Sequence, residues 1–166
     1  MYWRRSRPEY EKGKGNANRR AFKRLVARGA AHGVLAYSGR DPVGWCAIGP
    51  RGDFPRLAGS RVLQPIDDRP VWSVTCFFVA RPLRRRGLSV GLLSAAVEYA
   101  ARRGARLVEG YPQAPRSAKV PDVFAWTGFD AAFRQAGFEE CARRSPTRPI
   151  MRRSVQTSAR RLRSST

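Results

Sequence analysis

The run VWSVTCFFVARPLRRRGLSVGLLSAAVEYA, Val71 to Ala100, decides the fold. Its first nine residues are apolar on both alternating faces. Trp72, Val74, Cys76 and Phe78 form one face; Val71, Ser73, Thr75, Phe77 and Val79 form the other. A strand of that kind predicts burial on both sides, in the middle of a sheet. Pro82 ends it. From Leu88 the period changes: Leu88, Leu92, Ala95, Ala96 and Tyr99 recur at helical spacing, and the helix runs to Arg102 before Gly104 stops it. A second strand, ARLVEGY, follows over 105–111. Strand, helix and strand in that order predict a βαβ unit with parallel strands.

The junction inside this unit carries Arg84, Arg85, Arg86, Gly87, Leu88 and Ser89. A helix N-terminus presents unpaired backbone N–H groups and about half a positive charge. A glycine there lets an anion approach the backbone, and arginines add charge, so the junction has the chemistry of a phosphate site. A solvated charge run ahead of an ordinary helix is the other reading of the same residues. Neither GxxxxGK[ST] nor GxGxxG occurs.

Working outward, VLAYS (34–38) and VGWCAIG (43–49), joined by GRDP, read as a β-hairpin. Before it, Asn18 to Arg28 reads as an amphipathic helix. Asn18 is the expected cap, Phe22, Leu25 and Val26 share a face, and Gly29 is the stop. Residues 1–17 form a basic segment broken by Pro8, Gly13 and Gly15. A Gly/Pro/Arg-rich connection spans 50–70, with one short helix expected near Phe54–Ser60. On the other side, 112–122 is loop, Asp130–Gln135 a short helix, and GFEECARR with RPIMRRSV a closing hairpin. The basic tail from Ser154 to Thr166 is expected to be disordered.

The 166 residues suit one domain rather than two. With 33 Lys and Arg against 12 Asp and Glu, the formal charge of +21 favours anionic partners. Three scattered cysteines and one histidine, His32, argue against a disulfide framework and against a zinc site. His32 reads as a bystander and Cys76 as a core residue. No apolar run approaches the ~20 residues of a bilayer span, and there is no signal-peptide pattern, so a cytoplasmic protein without a membrane partner is expected.

RRRGLS resembles the pyrophosphate loop of the GNAT superfamily of N-acetyltransferases, with Arg84 and Gly87 at the expected positions and Ser89 where Gly or Ala is usual. AFRQAGFEE (132–140) resembles the GNAT segment that ends its last helix in an aromatic, three residues and Gly-Phe. The wording of VGWCAIGPR and VEGYP is similar to a bacterial subgroup of undefined substrate. The resemblance covers roughly 20–153.

It implies a single α/β domain, of mixed α+β character, over 18–153: a central mixed sheet flanked by helices, with splayed central parallel strands. It further implies acetyl-CoA as co-substrate, no metal, and direct attack of a primary amine on the thioester in a ternary complex. Phe77, Phe78 and Val79 would meet the pantetheine arm through the main chain. The amides from Arg84, Arg85 and Arg86 through Gly87, Leu88 and Ser89 would wrap the pyrophosphate. Glu109 is the candidate base and Tyr111 the candidate acid; two apart on one strand, they share a face. The plainer reading of the same residues pairs Glu109 with an arginine and leaves Tyr111 to pack. The family's usual acidic tyrosine is replaced here by Phe133. The family also begins with a full strand, of which MYW is at most a remnant, so the natural start is expected upstream.

The acceptor, a small molecule or a peptide amine, would enter through 50–70 and 112–128, where the aromatic stretch 121–128 either lines its pocket or plugs the core. Monomer and homodimer both remain open. The rival reading is a non-catalytic module that binds nucleic acid or acyl-CoA through its basic surface, with Trp3, Trp126 and Phe129 available to stack on bases. No helix-turn-helix, zinc-finger or RNP signature supports it.

Overall fold

A computed structural model describes residues 1–114 and 126–155. Six strands form one sheet: β1 (Gly33–Ser38), β2 (Asp41–Pro50), β3 (Trp72–Val79), β4 (Leu107–Gly110), β5 (Glu139–Arg143) and β6 (Pro149–Ser154). Their order is β1-β2-β3-β4-β6-β5, and only β3 and β4 run parallel. The expected unit at 71–111 is therefore present, its crossover made by α4 (Leu88–Ala101). The closing hairpin is present too, with its second strand inserted beside β4.

Helix α4 carries Leu92, Leu93, Ala96, Val97 and Ala100 into the main core, where they meet Cys46, Ile48, Val74, Phe77 and Val108. On the opposite side of the sheet, α2 (Asn16–Ala27) turns Phe22 towards Trp45, with ring centroids 6.2 Å apart. Short helices α3 (Pro55–Ala58) and α5 (Asp130–Gln135) complete the frame. Around α3 a second cluster gathers Trp3, Phe54, Leu57, Leu63, Tyr111 and Ile150.

Three local readings need correction. Asn18 does not cap α2: Gly15 does, at φ 83°, and Asn18 lies buried one turn in. There its side chain accepts from Arg5 and donates to the Tyr10 carbonyl. The segment MYW is no strand, since Tyr2–Arg4 is a 3-10 turn. It leads into α1 (Arg7–Lys12), nucleated by a capping box between Ser6 and Glu9 with Pro8 in the first turn.

The third correction concerns β3. Against β2, Ala47 pairs with Cys76 but Ile48 pairs with Val74, so Thr75 is an extra residue, a β-bulge. The alternation shifts there by one. Val74 and Phe77, three apart, both face the core under α4, and Phe78 is left 54% exposed.

Candidate active site

The bulge stands where the sheet opens. β3 pairs with β4 through Trp72–Val108, Ser73–Glu109 and Val74–Gly110, and the pairing ends there. Beyond it, β4 is diverted: Gln113 donates to the Gly128 carbonyl and accepts from the Asp130 amide. Gly110 is required at the turning point, because a Cβ there would collide with the Phe133 ring. From Thr75 to Val79, then, β3 keeps β2 as its neighbour, and no strand among the described residues pairs with its other edge, which leaves a gap in the pairing there. The Thr75 carbonyl is taken by the Trp3 indole, 2.9 Å away.

The loop after β3 has a matching character. Arg85 sits at φ 60°, the one non-glycine residue in the left-handed region among those described, and Gly87 follows at 78° as the N-cap of α4. A left-handed arginine costs roughly 1–2 kcal/mol, and such strain collects at ligand sites. Left-handed residues in a short loop are also how backbones form anion-binding concavities. The amides of Arg85, Arg86, Gly87, Leu88 and Ser89 find no acceptor among the described residues. Arg84 donates its Nε–H to the Val79 carbonyl, tying the loop to the strand end, and all three arginines are exposed.

At the closed end of the gap, Glu109 is wholly buried and fully engaged. Its Oε1 accepts from Arg51 at 2.8 Å and from the Tyr111 hydroxyl at 2.6 Å; its Oε2 accepts from Arg152 Nε at 2.7 Å. The single phenolic proton of Tyr111 is spent on Glu109, so Ser73, 2.8 Å away, donates to the tyrosine. Burial, and then the neighbouring carboxylate charge, push the Tyr111 hydroxyl far above the ordinary phenol range. Arg152 also grips Asp67 with both terminal nitrogens, at 2.6 and 3.0 Å, and hydrogen bonding to it holds that carboxyl well below its usual range. Arg51 reaches the Leu63 carbonyl. Two guanidinium groups and two carboxylates thus fasten the 50–70 connection to β4 and β6. Outside this network a groove of about 390 Å³ opens among Arg51, Asp67, Asp68, Arg69 and Trp72.

The remaining sequence candidates are placed as follows. Phe77 is buried edge-on against Phe133, at 6.0 Å between centroids, and Val79 packs beside the core. Phe133 is itself fully buried. His32 lies with Nδ1 3.0 Å from the Tyr99 hydroxyl and its ring near Trp72, away from the gap. The three thiols are free, and burial raises that of Cys76. Most of the 121–128 stretch lies outside the described residues; of its described part, Trp126 packs on Tyr2 and Trp3. Sequence reasoning missed Arg51, Arg152 and Ser73. An arginine partner for Glu109 was the plainer reading of the sequence, but nothing in the sequence singled out Arg51 or Arg152 as that partner.

The family model for the acetyltransferase (GNAT) family matches residues 1–119. The chain belongs to the GNAT family. Solved GNAT structures share its fold at low identity. A protein of the family from Desulfovibrio desulfuricans is 20% identical at TM-score 0.55, the match covering 84% of this chain and 79% of that one. A ribosomal-protein-alanine N-acetyltransferase from Brucella melitensis is 20% identical at TM-score 0.54, covering 82% and 76%. A phosphinothricin acetyltransferase from Sinorhizobium meliloti, solved with acetyl-CoA, is 16% identical at TM-score 0.53, covering 87% and 72%. No curated protein matches the chain in sequence. Among the described residues no helix of this GNAT chain is long and apolar enough to cross a membrane. No group of three or more His, Cys, Asp and Glu side chains among them is placed to hold a metal.

Proposed function

We propose that the chain transfers an acetyl group from acetyl-CoA to a primary amine. The observation that carries this reading is the open edge of β3 beyond Thr75, running directly into a strained loop of unpaired amides. In it, the pantetheine arm lies along Phe77, Phe78 and Val79 as an added strand. The pyrophosphate sits on the amides of Arg85 to Ser89, the Arg84 amide being held by the Arg81 carbonyl, and Arg84, Arg85 and Arg86 complement its charge. The amine enters beside the 50–70 connection, at the groove that Trp72 and Asp68 help to line. The neutral amine attacks the thioester carbonyl, the C–S bond breaks as coenzyme A leaves as a thiolate, and the surplus proton of the amine passes through solvent to that thiolate.

Glu109 and Tyr111 were drawn from the sequence as base and acid; in this reading they act by position. Both oxygens of Glu109 are occupied by groups that would lose their partner on its protonation. The firmly held proton of Tyr111 suits a fixed hydrogen bond better than donation to a thiolate. Phe133 gives the thiolate no help, and its low basicity makes help dispensable. The same feature favours a second reading, in which acyl-CoA is bound without transfer.

The test is calorimetric titration with acetyl-CoA at roughly 0.3 M salt, where exposed charges more than a few ångströms apart are screened. Saturable binding that Gly87→Glu abolishes supports the site. Absence of binding to the wild-type protein overturns it. Release of free thiol with a panel of amines then separates transfer from binding alone.

A further inference from the structure

Helix α2 carries a charge pattern that acetyl transfer does not use. Between Asn16 and Arg28 stand Arg19, Arg20, Lys23, Arg24 and Arg28, and no acidic residue. All five are exposed, and none makes an ion pair among the described residues. Several arginines elsewhere are matched: Arg51 and Arg152 by buried acids, Arg134 and Arg143 by Glu140, Arg69 by Asp67. Of the neighbouring acids on α1, Glu9 caps its own helix and Glu11 pairs with Lys14.

The arrangement works against the helix that bears it. Arg19 and Lys23, Arg20 and Arg24, and Arg24 and Arg28 are like charges one turn apart, which destabilise a helix. Arg19 and Arg20 also lie near the positive end of the helix dipole, and the first turn holds no acid to offset it. At 100° per residue the five side chains cover one half of the helix surface. An external anion would relieve both penalties at once.

The other half of α2 decides which anion. Ala21 and Asn18 are buried, Leu25 is half-buried, and Phe22 packs on Trp45. A membrane-surface helix needs its apolar face free to enter lipid, and here most of that face lies against the protein, with Val26 alone of its large apolar side chains exposed. Arg19 to Arg28 spans about 14 Å of helix axis, a line of charge suited to a partner with closely spaced phosphates. We infer that the exposed face of α2 docks on the phosphate backbone of nucleic acid, without reading base sequence. This is independent of the cofactor site.

Fluorescence anisotropy tests it, using the full chain and a labelled duplex of about 20 base pairs, titrated between roughly 50 and 200 mM salt. The wild-type protein should bind with a steep salt dependence. Replacing Arg20, Lys23 and Arg24 by Gln, a good helix former, should lower the slope of log K against log salt by about 2.7 and weaken binding at least about tenfold. A second triple variant, with Gln at Arg40, Arg102 and Arg106, removes the same charge from other exposed positions and should retain most of the affinity. Acetyl-CoA titration should be the same for all three proteins. Equal losses in the two variants, or no wild-type binding near physiological salt, would overturn the assignment. So would an α2-dependent preference for phosphatidylserine vesicles over the duplex.

Discussion

The two ends of β3 are built on opposite rules. From Trp72 to Val74 the strand is paired on both sides, and Ser73 joins a buried network in which every polar atom is satisfied. From Thr75 to Val79 it is paired, among the described residues, on one side only and leads into amides that bond to nothing described. Unmet hydrogen-bonding capacity is costly in the interior and useful at a rim, where a ligand can meet it. The closed end holds the frame still; the open end is where chemistry can be received.

The largest expected effect tests the closed end. Glu109→Leu leaves Arg51 and Arg152 facing each other across an apolar side chain. It should lower unfolding free energy by about 3–5 kcal/mol, read by urea denaturation. A loss below about 1 kcal/mol would mean that water already reaches the network. The open end should respond differently. Gly87→Glu should weaken acetyl-CoA binding about a hundredfold or more by losing charge-assisted contacts, while stability falls by only about 1 kcal/mol from the left-handed backbone. If both quantities fell together, the loop would belong to the frame and the contrast would fail.

Phe133→Tyr sharpens the boundary between the two ends. It puts back the hydroxyl that the family usually carries, in a site packed by Phe77, Phe138 and Gly110. Burial of a hydroxyl without a partner should cost about 1–3 kcal/mol and leave the transfer rate unchanged. A gain in rate would place this ring at the open end after all.

The smallest effect is on pH dependence. Asp67 has a folded pKa below its ordinary value of 3.8, chiefly through hydrogen bonding to Arg152. Its stabilising contribution is therefore complete above the unfolded value and is lost as pH falls below it. Thermal melts of Asp67→Asn should converge on those of the wild-type protein at low pH and lie slightly below them at neutral pH.

Much of the frame is legible in the sequence because its signals are local. The change of period at Leu88, the hairpin around Gly39 and the parallel pair flanking α4 are each written within a few residues. The capping box at Ser6 and Glu9 is equally local, though Pro8 and Gly13 mask it. The bulge is another matter: Val71–Val79 is apolar on both faces, so a shift of alternation leaves no mark on its pattern. The partners of Glu109 were hidden as well, since Arg51 and Arg152 stand 58 and 43 positions away and look like any other arginine in so basic a chain. Of the candidate site, the loop of Arg84 to Ser89 could be read because spacing carries it. The surroundings of Tyr111 could not, because they depend on which strands become neighbours.

The extra residue at Thr75 has a consequence for how this molecule tolerates change. How β3 is registered against β2 depends there on a count along the chain, not on the identity of a side chain. Substituting Thr75 by another small residue leaves that count intact. Deleting it would restore strict alternation with Phe77 and Phe78 still on the sides they now occupy, and would take the bulge and its local twist out of the strand. An insertion or deletion is usually least harmful in a loop and most harmful in a buried strand. Here a single-codon deletion in the strand would keep both faces of β3 as they are and remove the bend that the extra residue puts beside the cleft.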